Sequence, residues 1–180
     1  MRRRSLLATL PAAVAVSGCS TVTSLTAPDI RSESGSGHLR PADERQIAHG
    51  LQPDGRDQVY ATVAPDEARD LVTDDTVDHL VDTLSNDGGD VFTLVMQLRS
   101  TPESPMSLML EPGGEVQIDG NTLHADVTVE PWGPLDRIDD RDTRESLQSA
   151  DELVYTSVWN LSPDRRSLPD RVDLHLTHRG

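Results

Sequence analysis

From Val59 onwards, apolar and polar positions alternate in short blocks. Val59, Ala61 and Val63 alternate with Tyr60 and Thr62, which predicts a half-buried first strand. Phe92, Leu94, Met96 and Leu98 alternate with Thr93, Val95 and Gln97, and the apolar Val95 on the second face predicts a central strand covered on both sides. Leu108 and Leu110 mark a short third strand. Val116 and Ile118 then meet Leu123, Ala125, Val127 and Val129 across Asp119-Gly120, a hairpin signal. Leu153 to Leu161 is rich in β-branched and aromatic residues, and Val172, Leu174 and Leu176 close the chain. Seven short strands punctuated by Pro and Gly predict a mainly β fold, a small antiparallel β-sandwich or open barrel.

One segment keeps a different period. Val77, Leu80, Val81 and Leu84 recur at helical spacing, with Asp74 or Asp75 placed to cap the start. Ala68, Leu71 and Val72 behind Pro65-Asp66-Glu67 predict a preceding turn, so a helical crossover joins the first strand to the second and covers an open end of the sheets. Thr143 to Ala150 predicts one further helical turn. Pro41 to His49 reads as a turn or two of helix opened by Pro41 and stopped by Gly50.

The N-terminus follows another logic. Met1-Arg2-Arg3-Arg4-Ser5 precedes an apolar stretch, Leu6 to Val16, that is far shorter than the ~20 residues needed to span a bilayer. Small residues then lead to the only cysteine, in Val16-Ser17-Gly18-Cys19. The layout reads as an export signal. Val16 to Cys19 resembles a lipobox, in which the thiol is lipidated and the chain is cut before it. Arg3-Arg4-Ser5-Leu6-Leu7 resembles a twin-arginine signal, with Sec export as the competing route. With one cysteine, no intramolecular disulfide can form. Residues 1–18 are therefore assigned to a signal peptide, and 19–55 to a lipid-anchored flexible tether, Ser-, Thr- and Gly-rich up to Ser34-Gly35-Ser36-Gly37. The folded unit is assigned to 56–180, which holds all five aromatics, Tyr60, Phe92, Trp132, Tyr155 and Trp159. This places it on the outer face of the cytoplasmic membrane, held by the Cys19 lipid.

Charge narrows the partners. The chain has 31 Asp plus Glu against 16 basic residues, every one of them arginine, for a net charge of -15. Removing residues 1–18, which carry three arginines and no acid, takes it to -18. Such a surface repels nucleic-acid phosphates and anionic headgroups, so a protein or glycan partner is expected rather than a nucleic acid. A field of short carboxylates without lysine resembles the surfaces of salt-adapted haloarchaeal proteins.

The order of elements is similar to a family of small haloarchaeal lipoproteins of uncharacterised function. The likeness runs over residues 57–178. It rests on a strand ending near Tyr60-Ala61, a short acidic helix and the apolar strand Val91-Phe92-Thr93-Leu94-Val95-Met96-Gln97-Leu98. The hairpin Asp119-Gly120-Asn121-Thr122-Leu123-His124-Ala125 follows, with the closing Leu168-Pro169-Asp170-Arg171-Val172-Asp173-Leu174. These are strand patterns, so the resemblance implies a fold and a salty habitat, and no activity.

Chemical motifs are sparse. There is no nucleophile elbow, His-Glu-x-x-His, phosphate loop or dinucleotide fingerprint. His175 and His178, three apart on a strand, point to opposite faces. Asp75, His79 and Asp82 share a helix face that reads as solvated. Asp136, Asp139, Asp140 and Asp142 could supply oxygens to calcium, which takes about six to eight, but the EF-hand glycine is missing and Leu147 stands where its glutamate belongs. Arg137, Arg141 and Arg144 compete for the same carboxylates. Glu130-Pro131-Trp132-Gly133-Pro134 sets Trp132 between prolines, either as an exposed anchor for a partner or as a plug for the end of the sandwich. No catalytic residue is assigned. A binding or structural module is the primary expectation. A metal-dependent or hydrolytic enzyme built from dispersed Asp and His residues is the alternative, favoured by a cleft that gathers two or more of His124, His175 and the acidic residues.

Charge also sets an expectation for solvent. At 0.01 M salt the screening distance is ~30 Å, so most surface carboxylates repel one another at once, whereas at 1 M it is ~3 Å. Circular dichroism is expected to show the β-sheet signal lost in dilute buffer and regained in molar salt. An unfolding midpoint that does not move with salt contradicts the salt-adapted reading, and recovery with millimolar calcium alone reveals a specific site.

Overall fold

The computed structural model describes residues 30–44, 46–51, 55–64, 68–74, 76–84, 91–111, 116–163 and 169–179. Two sheets face each other across the main core, and a helical layer covers the outside of the first. The first sheet has the order β1 (Ile30–Pro41), β7 (Leu153–Pro163), β3 (Phe92–Ser100), β2 (Val59–Ala64), with every pair antiparallel. The second holds β4 (Met106–Leu110), β5 (Val116–Asp119), β6 (Thr122–Pro131) and β8 (Arg171–His178). Since β8 pairs with β6 over 122–129 and a strand has only two edges, β4 and β5 must share the other edge end to end. The fold is a β-sandwich and not a barrel.

The sequence pattern accounts for most of these elements. On β3, Phe92, Leu94, Met96 and Leu98 face the second sheet, while Val95 lies against Val158 on the outer face, so β3 is buried on both sides. Leu80 and Leu84 of α1 (Asp78–Leu84) complete that outer cluster, with Leu71 from the 3-10 turn Ala68–Leu71 and Ile47. Each such buried Leu contributes about 1.5–3 kcal/mol. The helical crossover thus joins β2 to β3 as expected, but it covers a face of the first sheet rather than an open end. The α2 helix (Arg141–Ser149) occupies the second helical site, and its Leu147 enters the main core. At the β5–β6 hairpin, Asp119 still pairs with Thr122, so the two-residue loop is Gly120-Asn121, with Gly120 at φ +59°. β8 runs parallel to β6, the one departure from an all-antiparallel sandwich among the described strands, because β7 crosses to the other sheet before the chain returns.

The division into a tether over 19–55 and a folded unit over 56–180 does not hold as drawn. Ile30–Pro41 is a full strand of the first sheet, in register with β7 from Ile30 opposite Pro163 to Pro41 opposite Leu153, with an irregularity between Ser32 and Ser34. The described residues hold eight strands where seven are expected. Ser34-Gly35-Ser36-Gly37, read as linker, is strand because its glycines face inward, where the rings of β7 fill the missing side-chain space. A Cβ at Gly35 would stand 2.5 Å from the Trp159 ring, and one at Gly37 would collide with the Tyr155 hydroxyl. The expected helix over Pro41 to His49 is not seen among the described residues: Pro41 ends β1, and 42–44 and 46–49 are turns and bends, with Gln46 and Ile47 buried. The Gln46 side-chain amide donates to the Val154 carbonyl at 3.0 Å, and the Gln46 backbone carbonyl accepts from the Thr76 hydroxyl at 2.6 Å, which carries the chain past the end of the sheet.

Polar groups on the outer face of the first sheet are bonded in a ladder. Thr93 donates to Asn160 at 2.9 Å and Gln97 to Thr156 at 2.8 Å, both directly paired positions across β3 and β7. Asn160 in turn donates to the Thr83 carbonyl at 2.9 Å, and the Leu51 N–H donates to Gln97 at 2.6 Å. Buried Arg99 pairs with Glu152 at 2.8 Å and donates to the Asp57 carbonyl at 3.2 Å, tying the segment before β2 to the start of β7.

Gly35→Ala and Gly37→Ala are each expected to cost about 1–3 kcal/mol in equilibrium unfolding, the usual penalty of forcing atoms into a filled core. Values near zero for both contradict the ring-over-glycine packing.

Candidate functional site

The most distinctive surface lies where two loops meet. Pro131 ends β6, and the next N–H, of Trp132, donates to the Pro105 carbonyl at 2.8 Å, binding this loop to the β3–β4 turn. Gly133 takes φ +109°, Pro134 follows, and the 3-10 turn Leu135–Arg137 plants Leu135 in the core. The backbone direction is thus set by two prolines, one glycine and one anchor. Trp132 comes out 42% exposed, the only large hydrophobic side chain so exposed among the described residues. Its ring also meets Tyr155, with centroids 5.2 Å apart at 50°. One part of the indole thus covers Tyr155 and the rest faces solvent. Tyr155 itself is buried, and burial with the nearby Glu130 carboxylate pushes its hydroxyl up to about 12, so it stays neutral.

Beside this loop runs a groove of about 560 Å³. Its apolar wall is Pro102, Pro105, Pro131, Pro134 and Leu135. Glu103 and Asp136 bring two carboxylates, and Gln148 of α2 closes one side. Glu103 is held ionised by hydrogen bonds with its own backbone and Thr101, which lower its pKa.

The acidic loop does other work. Asp140 caps α2, accepting from the Thr143 N–H at 2.8 Å, and hydrogen bonding with the Thr143 side chain and backbone lowers its pKa. Arg144 donates to the Ile138 carbonyl at 2.6 Å and Arg141 pairs with Glu145 at 2.7 Å. Asp136 lies in the 3-10 turn and Asp142 in the first turn of α2. Among the described residues, no group of three or more His, Cys, Asp or Glu side chains is arranged to hold a metal ion, so Asp136, Asp139, Asp140 and Asp142 do not converge.

Two histidine sites emerge that sequence spacing does not reveal. On the outer face of the second sheet, His124, Asp126, Asp173 and His175 line one depression of about 160 Å³. Cross-strand register puts His124 opposite Asp173 and Asp126 opposite His175, and His124 Nδ1 lies 3.3 Å from Asp173 Oδ2. The parallel pairing of β6 with β8 makes this grouping, and no local pattern announces it. On the first sheet, His38 of β1 packs on His79 of α1 with ring centroids 5.1 Å apart, and its Nε2 accepts from Arg40 Nε at 3.2 Å. Beyond Arg40 and Glu44, paired at 2.6 Å, a cavity of about 310 Å³ separates β1 from α2. This site was hidden because β1 reads as linker. The one available signal is the strict alternation from Ser34 to Arg40. The only Asn-x-Ser sequon, Asn160-Leu161-Ser162, is buried within the polar ladder and out of reach of a glycan transferase in the folded state.

Cys19, Arg3, Arg4, Val16, Ser17 and Gly18 lie outside the described residues, as does Asp75. Among the described residues, no helix is long and apolar enough to cross a membrane. No protein family, curated protein or solved structure matches this chain.

His38 supplies a pH test. Burial, then the neighbouring His79 and Arg40, lower its pKa from 6.5 to about 4. The unfolded chain therefore binds a proton that the folded one refuses between these values. His38 neutrality stabilises the fold fully above pH 6.5, and that contribution is lost as pH falls towards 4. Solvent reaches part of the ring, so about 1 kcal/mol is expected to disappear between pH 6.5 and 5. Unfolding free energies measured across that window should fall less steeply for His38→Gln, and equal slopes contradict the assignment.

Proposed function

We propose that this chain is a lipid-anchored module on the outer face of the cytoplasmic membrane, which binds a protein or glycan partner through the Trp132 loop. The observation that carries the reading is Trp132 itself: a large aromatic left 42% exposed on a loop braced by prolines and a backbone hydrogen bond to the β3–β4 turn. Rigid aromatic anchors of this kind lose little entropy on binding and dominate interface energetics. The export pattern and the lipobox-like Val16 to Cys19 support the location. The acidic, lysine-free composition supports a salty extracytoplasmic medium and argues against nucleic acid.

Two variants separate anchoring from binding. Cys19→Ser is expected to leave the protein in the medium or unprocessed, and mature-sized protein that stays in the membrane fraction contradicts the anchor. In the unlipidated Cys19→Ser background, Trp132→Ala is expected to stay folded but to lose at least tenfold in retention on cell envelopes stripped of the native protein. Unchanged retention contradicts the binding role of the loop.

A second reading draws on the His124–Asp173 contact. An imidazole oriented by a carboxylate can act as general base towards water, which fits a hydrolytic surface site with Asp126 and His175 alongside. Ester or glycoside hydrolysis by the purified chain that is abolished in His124→Ala would favour this over binding.

A further inference from the structure

The proline-walled groove has a chemistry of its own. Four of its ten lining residues are prolines, which have no N–H to donate, and its charged lining side chains, Glu103 and Asp136, are both anionic. No lysine, arginine or histidine lines it among the described residues. Two of its backbone carbonyls already serve the fold: Pro105 accepts from Trp132, which fixes the two loops against each other, and Pro134 accepts from Arg137 within its own turn. The result is a preformed recess, rich in acceptors and poor in donors, in a chain of net charge -15. Its volume of about 560 Å³ falls within the ~300–1,000 Å³ usual for ligand sites and suits one long side chain with its flanking backbone. An anion would meet two carboxylates, with no cation and only Ser104 and Gln148 as side-chain donors to offset them. A neutral polyol would find acceptors but few donors.

Resting on the binding role proposed for the Trp132 loop, we infer that the groove receives a guanidinium side chain from an arginine-bearing segment of a partner protein. The guanidinium donates to the carboxylates of Glu103 and Asp136. Its alkyl stem lies along the prolines, and the exposed indole of Trp132 next to the groove adds aromatic surface of the kind that attracts cations. The planar, weakly hydrated guanidinium suits a site that must work in salt, because contact pairing and stacking outlast the long-range attraction that salt screens to ~3 Å at 1 M.

The test is a two-dimensional NMR titration of the 15N-labelled full chain in 1 M KCl. The probes are an acetylated Gly-Arg-Gly-Arg-Gly amide, the same peptide with citrulline for arginine, and maltotriose. With the arginine peptide, shifts are expected at the amides of Glu103, Ser104, Gly133, Asp136 and Gln148 and at the Trp132 indole, and the citrulline peptide should bind at least fivefold more weakly. The double variant Glu103→Gln/Asp136→Asn should weaken the arginine peptide by about five- to tenfold. Asp139→Asn/Asp142→Asn, with the same change in net charge outside the groove, should leave it unchanged. Equal binding of the arginine and citrulline peptides, groove shifts from maltotriose alone, equal losses in the two double variants, or no groove shifts at all would each overturn the assignment. The envelope retention of Trp132→Ala reports separately on the binding role, so the guanidinium can fail while the loop remains a binding site.

Discussion

The rest of the structure depends on two aromatic rings laid over two glycines. β7 is the only strand of the first sheet that pairs on one side with the core strand β3 and on the other with β1. Its inward Trp159 and Tyr155 need room, and the neighbouring strand provides it only where side chains are absent, at Gly35 and Gly37. A ring seated over a glycine backbone buries large apolar area while compensating the glycine for its missing packing and its high unfolded entropy. In a chain with so few aromatics, these two rings are two of the three, with Phe92, that are buried in the main core. Trp159 also donates to the Ser157 hydroxyl at 2.7 Å, so its one polar group is satisfied on its own strand. Tyr155 continues outward to meet Trp132, and the same packing that holds β1 in the sheet thereby supports the exposed loop.

The two faces of the first sheet are held by different physics. Inward, the contact is apolar and interdigitated. Outward, β3 and β7 present Thr93, Gln97, Thr156 and Asn160, whose hydrogen bonds are satisfied by one another and by the helical layer. A buried polar group left unmade costs about 1–3 kcal/mol, so this ladder specifies where α1 and the segment after β1 must sit. The short α1 helix, too short to be stable alone, is fixed by Leu80 and Leu84 below it and by Asn160 bonding to Thr83 at its C-terminal end. His38 and His79 meet because that placement sets α1 against β1. Surface chemistry in this molecule is thus largely a consequence of sheet register.

The strands from Val59 to Leu176 are legible in the sequence because each buries one face, and burial of one face imposes a period of two on the residues. Val95 as a doubly covered position and the helix at Val77 to Leu84 are legible for the same reason. β1 is not. Two of its inward positions, Gly35 and Gly37, are glycines, so between Ile30 and Leu39 the apolar signal is carried by its partner, and alternation of Ser and Gly looks like a linker when read alone. The candidate site divides in the same way. Trp132 between prolines announces itself, whereas the groove beside it needs the β3–β4 turn, some thirty residues earlier, to supply Pro102, Glu103 and Pro105. The His124 depression requires the parallel return of β8, which no turn signature encodes.

By itself, then, the sequence determined the short-range properties of this protein: strand and helix periods, a hairpin after Asp119, the acidic surface and the export-like N-terminus. Each is set by residues within a few positions of one another, where local sterics, burial of one face and charge density act without reference to the fold. Tertiary structure alone decided the long-range ones: that residues 30–41 belong to the sheet, that β6 and β8 run in parallel, which carboxylates stay apart and which imidazoles meet. Those outcomes depend on volumes filled and hydrogen bonds completed between segments distant in the chain, as when the ring of Trp159 takes the space that Gly35 leaves open.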